Sequence, residues 1–538
     1  MSAKKFLLPA VGATVLAAGG AAAYLYLKGP ATDGNTPLTL ATVIPDEAYM
    51  TAFVSSDQQA WSKLQQFGTP EAQTVISQSL QNLQKDISAQ SNIDFEKDIK
   101  PWIGHSMVAL LPKAQSKASQ PSLLAVITIR DKISALQFAG KLASQSGGQS
   151  KESEYKGNKV ISSQDGKVYA ALLKDYLVLA TDQTTLENAI NTTQGEPSLA
   201  SKPEAKAVLS QALEIKNTLA KAYLLDYGKS LESLLASNPQ AESLSSLNTA
   251  QLKQVKSMVA GLGVDDEGMR FKAVVAMDPS APKYNYKAVS GKVISQFPAD
   301  TMALFSGGNI SQIWSQATQQ SQSDPTTQKT LDEMREAAKT ANLDLDKDVF
   351  SWMDGEFGLA LIPSDRGILA QLGFGGLMVI DTSDRQTAEA TLAKLDTLAK
   401  SSSIAVAQRD VQGKKVTEWN SPFGSILGHG WLDNDSVFVA LGGPMIDIAT
   451  TPPSTTLDSS NTFKTTTNGL PKQNLGYFYL DMDKTMAQVN RFSMMTGAPI
   501  PPEPAAVLNS IQGIGMTSTK VDEATGAMDL LLALKKAK

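Results

Sequence analysis

IDFEKDIKPWIGHSMVALLP, from Ile93 to Pro112, returns later in the chain as LDLDKDVFSWMDGEFGLALIP, from Leu343 to Pro363. Each stretch sets a cluster of acids ahead of a tryptophan, Trp102 or Trp352, and then runs into an apolar segment closed by proline. Acids at the start of a short helix are favoured by its positive end, and an apolar run bounded by proline reads as a buried strand. The block therefore predicts a helical turn, a packed indole and a core strand, written twice.

Other segments recur in the same order. Ile44-Pro45-Asp46-Glu47-Ala48 is echoed by Phe297-Pro298-Ala299-Asp300-Thr301, and the strand-then-helix layout LLAVITIRDKISAL from Leu123 by GLMVIDTSDRQTAEATL from Gly376. The turn Tyr155 to Val160 answers to Val411 to Val416, Tyr223-Leu224-Leu225-Asp226 to Phe478-Tyr479-Leu480-Asp481, and the hairpin from Gly261 to that from Gly513. Strand-like runs separated by turns too short for a crossover helix predict antiparallel pairing. The fold class expected is α+β: an N-terminal transmembrane helix followed by two tandem copies of a mostly antiparallel sheet domain with packed helices. The expected divisions are an anchor at 6–27, a tether at 28–43, a first copy at 44–280, a linker at 281–296 and a second copy at 297–535. Helices are expected at 57–91, 131–146, 183–192, 201–221 and 229–258 in the first copy and at 309–341 and 384–401 in the second, with strands at 122–130, 159–164, 167–173, 176–181, 222–226 and 269–278.

The anchor rests on the absence of charge from Phe6 to Leu27, a run bracketed by Lys4, Lys5 and Lys28. As a helix it would reach roughly 33 Å, enough for a hydrocarbon core of about 30 Å. The lysine asymmetry puts the N-terminus in the cytoplasm and the bulk of the chain across the membrane. Ala21-Ala22-Ala23 also meets the small-residue requirement of a cleaved signal peptide, the alternative reading of 6–27.

The anchor, the Ile-Pro start and the block Phe95-Glu96-Lys97-Asp98-Ile99-Lys100-Pro101-Trp102-Ile103-Gly104 resemble an uncharacterised, mostly cyanobacterial, membrane-anchored family grouped under a domain of unknown function, DUF3352. The resemblance covers most of the chain. It implies a single-pass inner or thylakoid membrane protein with a periplasmic or lumenal bulk, and it supplies no catalytic residue. The second copy departs from the pattern where Pro101-Trp102-Ile103 becomes Ser351-Trp352-Met353.

Composition narrows the chemistry. The 538 residues exceed what one core comfortably holds, and 42% hydrophobic with 19% charged residues describes a folding chain. A formal net charge of -5 and the lack of any basic tract exclude a phosphate-tracking surface, so no nucleic-acid partner is expected. There is no cysteine and there are 2 histidines, His105 and His429, too few for the common zinc geometries. Asp94-Glu96-Asp98 and Asp344-Asp346-Asp348 fail as calcium loops, because Ile99 or Val349 stands where the sharp turn needs glycine and His105 or Gly355 where a bidentate glutamate is required. Gly424-Ser425-Ile426-Leu427-Gly428 lacks the glycine of a nucleophile elbow, and Gly373-Phe374-Gly375-Gly376 precedes a strand instead of opening a helix. No cofactor, metal or catalytic residue is assigned.

Met494 to Ala505 is apolar and stiffened by proline, with no counterpart in the first copy. Met494, Met495, Ile500, Pro501 and Pro502 form the interaction surface expected from the sequence. The first functional expectation is a non-catalytic, membrane-tethered interaction or assembly module on the extracytoplasmic side. It would touch membrane lipid through its N-terminal helix and a protein partner or apolar ligand elsewhere. A lipid or apolar-ligand carrier and an enzyme of unidentified class are the alternatives.

Overall fold

The structure is a computed structural model, and it describes residues 36–91, 94–112, 121–144, 151–230, 254–281, 287–322 and 325–537. The chain divides into two compact units. Unit 1 takes residues 1–283 with 521–527 and 536–538, and unit 2 takes 284–520 with 528–535.

Unit 1 is built on β1 (Met50–Val54), β2 (Ile103–Leu111), β3 (Ser122–Ile129), β4 (Lys151–Tyr155), β5 (Asn158–Ser162), β6 (Tyr169–Leu173), β7 (Tyr176–Ala180), β8 (Thr218–Leu224), β9 (Val255–Val264) and β10 (Gly268–Met277). All pairs are antiparallel, in the order β4-β5-β6-β7-β3-β2-β1-β8-β9-β10. Alternate side chains enter a core with Leu186 and Ile190 of the helix Gln183–Thr193 and with Leu209. The opposite face packs Ile127 and Leu177 against Phe138 of the helix Lys132–Ser144.

Unit 2 contains β11 (Ala303–Gly308), β12 (Glu356–Pro363), β13 (Phe374–Asp381), β14 (Ala405–Val411), β15 (Lys414–Ser421), β16 (Gly424–Trp431), β17 (Ser436–Leu441), β18 (Tyr477–Asp481) and β19 (Ile511–Lys520). Their order is β14-β15-β16-β17-β13-β12-β11-β18-β19, again antiparallel throughout. β20 (Thr525–Leu534) is divided between the units.

The acid-and-tryptophan block folds the same way in each unit. Phe95–Ile99 and Leu345–Val349 are single π-helical turns. Asp98 accepts the Asp94 backbone N–H at 2.7 Å and pairs with Lys141, while Asp348 accepts the Asp344 N–H at 2.9 Å and pairs with Lys394 at 2.7 Å. The indoles of Trp102 and Trp352 donate to the carbonyls of Asp98 and Asp348 at 2.7 and 3.0 Å, and both rings are buried. Only part of this follows from helix-end charge. Asp344 does cap the turn, accepting from the N–H groups of Asp346 and Lys347, but Asp98 and Asp348 clamp the turn to a following helix through its lysine.

The expected architecture requires correction in two respects. Two tandem copies of a sheet domain are not what the chain forms, because the units interleave in sequence. The Met277 N–H donates to the Ala524 carbonyl at 2.8 Å and the Ala537 N–H to the Gln66 carbonyl at 2.8 Å, which draws the segments around Ala524 and Ala537 back to unit 1. Second, no helix among the described residues is long and apolar enough to cross a membrane. The segment read as an anchor, 6–27, lies outside the described residues. The described residues therefore give no support to the single-pass inner or thylakoid membrane topology, to the periplasmic or lumenal placement drawn from it, to the lipid partner reached through an N-terminal helix or to the membrane-tethered module, and these expectations are set aside. The end of the stretch read as a tether is structured: Pro37–Leu40 is a helical turn, and Leu40, Ala41 and Val43 are buried in the core of unit 1.

Two helical expectations need correction in part: Pro203–Leu209 is helical as expected, and 231–253 lies outside the described residues. Thr218–Leu224 is β8 and Val255–Val264 is β9, where helices had been expected to extend across 201–221 and 229–258. Both runs are rich in residues that suit either state, and pairing with neighbouring strands decides between them.

Lys141 and Lys394 each hold their aspartate below the ordinary carboxylate range, first through the side-chain hydrogen bond and then with help from the Asp94 or Asp344 N–H. A lowered folded-state pKa contributes stability that is present above the unfolded value near 4 and is lost as pH falls through the folded value. Asp98→Asn and Asp348→Asn should each lower stability at pH 7 by about 1–3 kcal/mol. Urea midpoints measured along a pH series should show that penalty shrinking below about pH 4.

Candidate functional site

Period-two alternation sends successive residues of a strand to opposite faces of its sheet. In unit 2, Leu304, Ala360, Leu377, Ala440 and Tyr479 lie in one row across five strands, and all are buried in the core. The next row, on the other face, reads Val439, Met378, Leu359, Phe305, Phe478 and Met516 across β17, β13, β12, β11, β18 and β19. This second row is apolar as well, yet Phe305 is 54% exposed and Leu359 47%. The helix Arg385–Ser401 covers part of the face around Phe357, Ile380 and Val437 and leaves the middle of the row open. The corresponding row of unit 1, Ala125, Val108, Ala52, Ala222 and Ala260, carries small side chains.

The row leads to a cleft. β18 pairs with β11 only from Ala303 to Phe305, and beyond that point the regular ladder ends. Ser306 Oγ accepts the Tyr477 N–H at 3.0 Å at that end. Gly476, at φ 129°, lies so close to the Ser306 carbonyl that an added Cβ would stand 1.9 Å from it, so the position requires glycine. The opening is a cavity of about 460 Å³, within the range of small-molecule sites. Val289, Phe305, Ile313, Phe357, Phe478 and Met516 form its apolar wall, and the rings of Phe305 and Phe357 are 5.8 Å apart.

Ile313 is placed there by a helix start. Asn309, at φ 58°, accepts the Gln312 N–H on its side-chain oxygen at 2.7 Å, beginning the helix Ile310–Ser321. One edge of the cleft is the segment Lys287 to Gly291, tied down where the Val289 N–H donates to the Asn474 carbonyl at 2.8 Å. Glu356 accepts the Ser290 and Gly291 N–H groups on one carboxylate oxygen. Its second oxygen is buried without a hydrogen-bond partner. Asp354 is occupied by the Ser383 N–H at 2.9 Å and by the Ser383 hydroxyl.

The residues singled out from sequence lie elsewhere. Met494, Met495 and Thr496 end the helix Met482–Thr496, Gly497 closes it in the left-handed conformation, and Pro502 begins the helix Pro502–Asn509. The stretch expected to be irregular is therefore a turn between two helices. Met494 is 80% exposed and Ile500 half-buried. His429 is buried and bonds Asp396 at 2.8 Å, and the same carboxylate oxygen accepts the Trp419 indole N–H at 2.7 Å. His105 Nδ1 accepts the Ser56 N–H at 2.9 Å. Both histidines stand on strands and are held by groups outside their sheets, Asp396 on the helix Arg385–Ser401 and the Ser56 N–H after β1. Gly375 sits where a Cβ would meet the Met445 side chain at 2.4 Å, which gives the glycine-rich stretch at 373–376 a packing role.

A family model described as a protein of unknown function, DUF3352, matches residues 10–534. The match brings no source organism and no membrane attribution with it. No curated protein matches the chain. Among solved structures, crystal form I of TP0453 aligns at 10% identity and a TM-score of 0.27 over 46% of this chain and 81% of that one. Crystal form III of TP0453 aligns at 11% identity and a TM-score of 0.27 over 45% and 82%. Likenesses this distant carry no argument about fold or ligand.

Stability separates the wall from the core. Phe357→Ala should cost about 3–5 kcal/mol because its ring is buried, whereas Phe305→Ala, at a site more than half exposed, should cost about 1 kcal/mol or less. Chemical denaturation of the two variants measures the difference, and equal losses would show that the Phe305 ring is a core element.

Proposed function

The chain belongs to the DUF3352 family, whose function is unknown, and from its own surfaces we propose that it binds a lipid or another apolar ligand, as a carrier would. The observation that carries this reading is the open apolar row of unit 2 running into the cleft where the ladder between β11 and β18 ends. Burying one large apolar side chain is worth roughly 1.5–3 kcal/mol, and Phe305 and Leu359 are left half in water. A ligand lying along the row would recover that stabilisation, and the glycine-lined cleft admits it without moving a side chain into the core. The wall of Val289, Phe305, Ile313, Phe357, Phe478 and Met516 offers apolar contact area, which suits a chain of methylenes.

Ile313→Trp fills the cleft from an exposed position on a helix. It should lower affinity for a neutral apolar fluorescent probe about tenfold while shifting the unfolding free energy by no more than about 0.5 kcal/mol. Mass spectrometry of organic extracts of the purified wild-type protein should identify a bound lipid that the variant lacks. Wild-type protein that carries no lipid and takes up no probe would sink the reading.

The exposed helix end at Met494 and Met495, with Ile500, Pro501 and Pro502 in the turn that follows, is the proposed contact for a protein that delivers or receives the ligand. Adjacent methionines adapt to a partner, and the prolines limit the ordering cost of binding. Replacing Met494, Met495 and Ile500 together with serine should slow transfer of the probe to an acceptor protein and leave equilibrium binding unchanged. Unchanged transfer would remove these residues from the proposal.

A further inference from the structure

We infer that the cleft takes an amphiphile whose head is a cationic nitrogen, an ammonium or a quaternary ammonium, drawn by the carboxylates of Asp354 and Glu356 and by the phenylalanine wall. The inference rests on the apolar-cleft reading and adds the identity of the polar end.

The charged residues that line the cleft are Asp354, Glu356 and Lys287. Both acids are bonded to neutral donors alone. Asp354 accepts the Ser383 N–H and hydroxyl. Glu356 accepts the Ser290 and Gly291 N–H groups on one oxygen, and its other oxygen has no donor. Such bonds fix a carboxylate in place and leave its charge standing, and the single ammonium of Lys287 offsets one negative charge of the two. The other polar groups of the lining do not alter that sign. Asn309, Gln312 and Ser518 are neutral, and the Tyr477 ring packs against Phe463 in the core, 6.0 Å between centroids.

The wall supplies a second attraction of the same sense. Aromatic ring faces draw a cation, and Phe305, Phe357 and Phe478 all line this cavity. Phe357 follows Glu356 directly in β12, which sets acid and aromatic groups at one end of that strand. A weakly hydrated organic cation gains from both. An anionic head would meet the excess negative charge, and an alcohol would leave it unanswered. The alkyl chain then has Phe305, Leu359 and Met378 of the open row to lie along.

Dodecyltrimethylammonium, dodecylamine, dodecanol and laurate, each displacing a neutral apolar probe from the full chain below its micellar concentration, test the assignment. At least one of the two cations should bind about 3–5-fold tighter than dodecanol, with laurate weakest. Asp354→Asn should weaken the cations about threefold and leave dodecanol unchanged, and Lys287→Gln should strengthen them about twofold. Tighter binding of dodecyltrimethylammonium identifies a quaternary head and tighter binding of dodecylamine an ammonium, and either supports the inference. Dodecanol or laurate bound as tightly as both cations overturns the head-group assignment while the cleft stands. Cation affinity unchanged in Asp354→Asn, or not raised in Lys287→Gln, does the same. If a urea midpoint shows that Asp354→Asn does not fold, Lys287→Gln alone decides. Should the neutral probe itself fail to bind wild-type protein, the cleft reading has failed first.

Discussion

An antiparallel strand that is apolar at both odd and even positions must have both its faces covered, and unit 2 meets that requirement on one face only. Leu304, Ala360, Leu377 and Tyr479 are sealed beneath the segments that supply Met445, Ile446 and Phe463. Their alternates Phe305, Leu359 and Phe478 have a helix over one end of the row and, among the described residues, nothing comparable in the middle. The cleft lies beside this uncovered stretch, where the ladder between β11 and β18 ends at Ser306 and Gly476. In unit 1 the same row is alanine and valine, which leaves little apolar area in need of a cover. Alternation, side-chain size and the end of that ladder together place the candidate site in unit 2.

Much of the sheet was legible from local pattern. The strands β3, β5, β6 and β7 and the buried indoles of Trp102 and Trp352 follow from apolar runs, turn residues and the acid block. Where reading failed, the deciding partner was distant in sequence. Thr218–Leu224 and Val255–Val264 become strands because β1 and β10 are there to pair with them, a fact no local window contains. The clamping role of Asp98 and Asp348 needs Lys141 and Lys394, which stand in other elements.

The candidate site was half visible. ALFSGG and FGLALIP are apolar at both parities, a pattern that asks for a second cover and could have directed attention to Phe305 and Leu359. The end of the ladder could not be read, because it depends on Gly476 approaching the Ser306 carbonyl across the sheet. Met494 drew notice because an exposed apolar pair beside prolines is conspicuous in a string of letters. Phe305 did not, because a phenylalanine inside a strand looks like core until its exposure is seen. The charge-free run at 6–27 was the loudest feature of the sequence; it lies outside the described residues, and no helix among those could cross a membrane.

The return of 521–527 and 536–538 to unit 1 has a bearing on how the chain is made. A ribosome releases β1 to β10 long before the residue that accepts the Met277 N–H has been synthesised, and the intervening stretch contains the strands of unit 2. Unit 1 can collapse early but stays unfinished at that edge until Ala524 has been synthesised, and closing so long a loop is slow compared with local pairing. During that interval an unpaired strand edge is exposed to other nascent chains, the circumstance in which holding chaperones matter most. The unit whose strands are made first is thus completed only after the strands β11 to β19 of the other have emerged.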